Sequence, residues 1–167
     1  MKRILYAAVL MGFGALPLAA PAQSATITGN LNVTATVNTS CTVTGDTMAF
    51  GALAPTVQAT GTATITVACQ VGSSPKISLS GGNAPYDDAT GGLLKSGSNS
   101  IVYSLFSTSG RTTPFPDSGD VSGGNPITLD GNGNGSVTIY GKINAGTITS
   151  ATPVGGYSDT ITVNIVY

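Results

Sequence analysis

The sequence predicts an all-β protein, a sandwich of two sheets, on three observations. The first is composition: the chain has no His and no Glu, carries only 8% charged residues and is rich in Thr, Ser, Gly, Val and Ile, which suits sheets and turns rather than helices. The second is alternation of apolar and polar residues with period two, the signature of half-buried strands. The third is the frequency of Gly, Pro, Asn and Asp clusters, such as Gly81-Gly82-Asn83, Gly123-Gly124-Asn125-Pro126 and Gly155-Gly156, which break the chain into short strands.

The chain begins with Lys2 and Arg3, an uncharged run from Ile4 to Leu18, and then Ala20-Pro21-Ala22. This order of charged, apolar and small residues reads as a secretory signal peptide over 1–22, cleaved after Ala22. Cleavage after Ala25 is the second choice, because it would place Gln23 where a small residue is preferred. The apolar run is short for a transmembrane helix and no later stretch approaches 18 apolar residues, so no stable membrane insertion is expected and the mature chain should be soluble. Removing 22 residues from 167 leaves 145, enough for one domain with a real core. Four cations, Lys76, Lys95, Arg111 and Lys142, stand against the aspartates 46, 87, 88, 117, 120, 130 and 159, and 4 minus 7 gives a mature net charge of −3. That balance offers no basic patch for nucleic acid.

The first mature element is the cleanest. Ile27, Gly29, Leu31, Val33, Ala35 and Val37 alternate with Thr28, Asn30, Asn32, Thr34 and Thr36, predicting a long amphipathic strand. The pattern fits two roles equally: a first strand packed on its own domain, or a strand added to the sheet of another chain. Gly29 within it fits the second, because Gly in a strand often marks close backbone approach. Further strands are predicted at 41–50, 63–71, 76–79, 101–106, 127–129, 136–143 and 157–167. In the last, Ile161, Val163, Ile165 and Tyr167 alternate with polar residues up to the final position, so this edge is either an ordinary paired strand or central to an assembly.

Cys41 and Cys69 are the only cysteines, and an even count in an exported chain predicts a disulfide. Two separate thiols are the weaker reading. A metal site is weaker still, since two cysteines without histidine do not complete a tetrahedral shell. Catalysis finds little support, because nucleophilic arrangements need a base and histidine is absent. The adjacent carboxylates Asp87-Asp88 face opposite ways in a strand and are usually solvated in a loop, so they read as surface charges. Asp130-Gly131-Asn132-Gly133-Asn134-Gly135 copies the start of a calcium-binding loop, but the twelfth position is Gly141 where a bidentate Glu is required. A Gly/Asn turn between strands is the better reading. The expectation is no enzyme, no catalytic residue, no metal and no cofactor.

The stretches Thr26-Ile27-Thr28-Gly29-Asn30-Leu31-Asn32-Val33, Cys41-Thr42-Val43, Phe50-Gly51, Val67-Ala68-Cys69, Ile101-Val102-Tyr103-Ser104-Leu105-Phe106, Val137-Thr138-Ile139-Tyr140-Gly141-Lys142-Ile143 and Gly156-Tyr157-Ser158-Asp159-Thr160-Ile161-Thr162-Val163 occur in an order that resembles the spore coat protein U domain family. That family includes the pilins of archaic, Csu-type chaperone–usher pili. The resemblance spans nearly the whole mature chain and rests on order, cysteine spacing and the closing strand rather than on any single piece.

It implies an immunoglobulin-like sandwich that lacks its last strand and is completed by a donor strand from another subunit. Residues 23–37 would be the donor segment, with Ile27, Gly29, Leu31, Val33, Ala35 and Val37 as its inserting face, and 38–167 the pilin domain. Ile161, Val163, Ile165 and Tyr167 would line or border the acceptor groove. The implied partners are a periplasmic chaperone, an outer-membrane usher and other copies of this or related pilins. The implied course is export to the periplasm and then the cell surface, as part of a fimbrium used for adhesion and biofilm formation. One domain suits a shaft subunit better than a two-domain tip adhesin. A coat protein using the same strand exchange, and a self-contained carbohydrate-binding or adhesive module, are the alternatives. The absence of Trp and the presence of only six Tyr, one of them in the signal peptide, weaken the latter.

Overall fold

The computed structural model describes residues 30–118 and 123–167, which fall into a segment ending at Thr36 and a folded unit from Val37 to Tyr167. The strands described in the folded unit are β1 (Cys41–Gly45), β2 (Ala59–Cys69), β3 (Lys76–Gly81), β4 (Gly92–Ser96), β5 (Asn99–Phe106), β6 (Asn125–Pro126), β7 (Asn134–Ile143) and β8 (Ile161–Val166). They form a five-stranded sheet in the order β1-β2-β7-β5-β4 and a three-stranded sheet in the order β6-β3-β8. All strand pairs are antiparallel.

The predicted alternation is what separates the two faces. Along β2, Ile65, Val67 and Cys69 are buried while Thr60, Thr62, Thr66 and Ala68 are exposed. Ile139 and Ile143 of β7 and Ile101, Tyr103 and Leu105 of β5 join them, and Ile77 and Leu79 of β3 contribute from the other sheet, with Phe115 and Ile127 from the connections. Burial of such side chains is worth roughly 1.5–3 kcal/mol each, the main favourable term available to a chain with so few charges.

The disulfide lies where β1 and β2 begin to pair: Cys41 sits directly opposite Cys69, their Cα atoms 4.1 Å apart, and the two are bonded. It therefore fastens an edge strand, exposed along most of its length, to the body of its sheet. The Asp130 loop is a tight turn into β7. Asp130 Oδ1 accepts from the amides of Asn132 and Asn134, both at 2.8 Å, and these amides hold the carboxyl below its usual range, Asn134 most strongly. Gly133 has φ 82° there, and a Cβ on it would collide with the Cys69 carbonyl.

Most strand boundaries shift from those expected, β2 starting at Ala59 rather than at 63, and three of the differences have a clear cause. The strand expected over 41–50 stops at Gly45, because the chain then leaves the sheet edge and crosses the inner face of β2 and β7. Room for that crossing comes from Gly61 and Gly141, which face each other in register. A Cβ at Gly141 would stand 2.8 Å from the Phe50 ring, and one at Gly61 3.0 Å from Met48 Cγ. Residues 127–129 are not a strand; the preceding Asn125–Pro126 pairs with β3 instead, and the Ile127 amide donates to the Pro75 carbonyl. The last strand starts at Ile161 rather than Tyr157, since Ser158 is diverted into an isolated bridge with Lys95. β4 is an addition. Its hairpin with β5 turns through Gly97-Ser98, with Gly97 at φ 58°, a two-residue hairpin signal readable in the sequence.

Two outcomes are expected. Reducing the disulfide, which closes a separation of 28 residues, should lower stability by about 3–4 kcal/mol in the chain-entropy model, measured as a shift in denaturant midpoint. Gly141→Val should cost about 1–3 kcal/mol by displacing Met48 and Phe50, whereas the exposed Thr62→Val on the outer face of the same sheet should change stability by less than about 0.5 kcal/mol.

Candidate functional site

β8 is hydrogen-bonded to β3 on one side, and among the described residues no strand pairs with its other edge. β1 approaches β8 there. Three strands at about 4.8 Å spacing do not span the inner face of five. The uncovered part is a groove of about 360 Å³ whose floor is Ile65, Ile139, Tyr103 and Leu105 from the larger sheet. Ile161 and Val163 of β8 form one wall with Leu79 of β3, and Met48 and Phe50 the other. A second depression of about 650 Å³ shares Thr47, Met48, Phe50, Leu94 and Asp159 with it and continues beneath Tyr157. The lining of the first is apolar apart from its ends.

The residues expected at the acceptor side separate. Ile161 and Val163 line the groove. Ile165 is half-buried and packs on the core, and Tyr167, 52% exposed, lies past the end of β8. Of the expected donor face, Ile27 and Gly29 lie outside the described residues. Leu31, Val33 and Val37 are 88%, 80% and 76% exposed, Ala35 is exposed too, and residues 30–40 form no strand. That corrects the expectation of a formed strand for the described part. An isolated strand leaves its main-chain groups unpaired, so alternation alone does not produce one.

One end of the groove is fixed by a polar cluster around Asp159, whose members the sequence shows separately, in a turn cluster and in two of the stretches of the resemblance, without bringing them together. Asp159 Oδ2 accepts from Tyr103 Oη at 2.7 Å, while Oδ1 accepts from the amides of Asn83 at 2.6 Å and Thr160 at 2.8 Å. The Asn83 side-chain amide donates to the Leu93 and Ser158 carbonyls at 2.9 and 2.6 Å, and Lys95 and Ser158 exchange both main-chain bonds. This carboxylate thus joins β5 of one sheet to the turn after β3 and the approach to β8 in the other. Burial, and then the hydrogen bond to Asp159, push the Tyr103 hydroxyl well above its ordinary value. Asp87 is a turn cap: its Oδ1 accepts from Ala89 N, Thr90 N and Thr90 Oγ1, and the Thr90 bonds hold it below the usual carboxylate range. What this arrangement offers, among the described residues, is a shaped apolar surface beside a strand edge that no strand pairs.

Tyr103→Phe should cost about 1–3 kcal/mol at neutral pH, since it removes a hydrogen bond to a charged acceptor. Because Tyr103 keeps its proton in the folded chain after the unfolded chain has released its own near pH 10, its contribution is complete below pH 10 and is lost as pH rises towards the folded value. The denaturant midpoint should therefore fall above pH 10, less steeply in Tyr103→Phe than in the parent chain.

No curated protein sequence matches the chain. A chain of the crystal structure of the CsuC–CsuE chaperone–tip adhesion subunit pre-assembly complex, from archaic chaperone–usher Csu pili of Acinetobacter baumannii, is similar in fold, with a TM-score of 0.57 and 20% sequence identity. That match covers 79% of this chain and 40% of the other, so this chain spans less than half its length. The two-sheet antiparallel architecture is thus that of a solved Csu pilus complex chain. The family model of the Spore Coat Protein U domain matches residues 27–164, nearly all of the sequence beyond the N-terminal apolar run, and the chain belongs to that family.

Proposed function

We propose that this chain is a structural pilin subunit, exported through a signal peptide over 1–22 and polymerised by donor-strand exchange into a chaperone–usher surface fibre serving adhesion and biofilm formation. The observation that carries the reading is the apolar groove beside an edge of β8 that no strand pairs among the described residues, in a chain whose residues 31–37 present an exposed, alternating apolar series. The sandwich is then an immunoglobulin-like fold short of one strand. Segment 23–37 of the next subunit supplies it, setting Ile27, Gly29, Leu31, Val33, Ala35 and Val37 against a groove walled by Ile161 and Val163 and bordered by Ile165 and Tyr167.

The energetics favour such an exchange. An inserted strand pairs the free edge of β8 through main-chain hydrogen bonds and buries alternate side chains at roughly 1.5–3 kcal/mol each, against the cost of association. Donor and acceptor are different surfaces, so the contact is heterologous and propagates as an open fibre. Before assembly the same groove needs an occupant, the role assigned here to a periplasmic chaperone, with an outer-membrane usher as the site of exchange.

Electrophoresis of the exported protein without heating should give a ladder that collapses to monomer on heating. The variant lacking residues 23–37 should give monomer alone, and fibres from it would refute the donor assignment. Val33→Asp, at an 80% exposed position, should leave stability within about 0.5 kcal/mol of the parent yet abolish the ladder.

A further inference from the structure

Met48 stands apart from the other groove residues. It is the only methionine in the chain after Met11, it lines both depressions, and it lies half-buried against Gly141 and Gly61 in the wall of the groove. A thioether suits an irregular apolar wall because it is flexible and polarisable, and it is also the one oxidisable apolar side chain there.

We infer that Met48 is an oxidation site whose conversion to the sulfoxide closes the groove to an apolar strand. The inference rests on the donor-strand reading and adds a regulation to it. The chemistry needs a two-electron oxidant of the peroxide class. A sulfur lone pair attacks one peroxide oxygen, the O–O bond breaks, and the departing hydroxide takes up the proton released by the sulfur-bound oxygen, leaving sulfoxide and water; sulfur is oxidised by two electrons and peroxide reduced by the same two. The new S–O dipole faces a lining of Ile65, Ile139, Leu105 and Ile161. Water solvates that dipole in the open groove, but a strand laid over the groove removes the water, and apolar donor side chains bring no hydrogen-bond donor to replace it. Gly61 and Gly141 leave no slack behind the side chain, so the enlarged group turns towards the groove rather than away from it. Once a strand is in place the sulfur is covered. Unassembled subunits are therefore the sensitive population and assembled ones the protected population.

The test uses the full-length processed chain and a fluorescent peptide of residues 23–37 as probe, with and without prior hydrogen peroxide. Mass spectrometry reads the gain of one oxygen at Met48. The parent should bind the peptide and lose at least roughly tenfold in affinity after peroxide. Met48→Leu should bind before and after treatment alike, and peptide bound beforehand should slow oxidation of the parent about tenfold or more. Undiminished binding by a chain carrying the sulfoxide overturns the inference alone, as does a Met48 that peroxide leaves unmodified in the free chain. Absence of peptide binding by both untreated chains overturns the donor-strand reading, and the inference falls with it.

Discussion

A β-sandwich is stable when the apolar face of each sheet is covered by the other, and here three strands face five. Much of the molecule answers that mismatch. The chain after β1 leaves its sheet to lay Met48 and Phe50 over the larger sheet, which in turn requires the paired glycines 61 and 141 beneath them. Ile161, Val163 and Ile165 of β8 stay half-buried for the same reason, since among the described residues no strand pairs with one flank. What the crossing segment does not cover remains as the groove, and the Asp159 cluster holds the sheets together at its end.

The sheet edges show how selectively this exposure is distributed. β1 is short, rich in threonine and stapled by the disulfide, while β4 is bridged through Lys95 to Ser158. Both are edges that discourage further pairing. The free edge of β8 is different, because Ile161 and Val163 stand beside it over an apolar floor. Exposed main-chain groups beside an apolar floor are the combination that strand addition uses in proteins generally.

Two of the carboxylates serve the turns that carry them. Asp87 and Asp130 organise their own loops, and among the described residues no buried side-chain nitrogen or oxygen lacks a hydrogen-bond partner. Asp159 links separate elements, across 56 residues to Tyr103 and 76 to Asn83. Strand pairing of comparable span dominates the fold, so local pattern selects the strands and long-range pairing arranges them.

By itself the sequence determined the all-β class, the two faces of β2, β5 and β7, the bonded cysteines and the Gly/Asn turn before β7. Each of these depends on period-two alternation, local turn chemistry or cysteine count, all properties of neighbouring residues. It also singled out Ile161 and Val163, as the end of an alternating strand. The tertiary structure alone decided that residues 46–53 would cross the sheet and that Met48 and Phe50 would wall a groove. It likewise decided that Asp159 would join Tyr103 and Asn83, and that Ile165 and Tyr167 would fall outside the groove. These outcomes depend on which glycines meet in register and on which edge is left unpaired, and a single strand's pattern of apolar and polar residues carries neither.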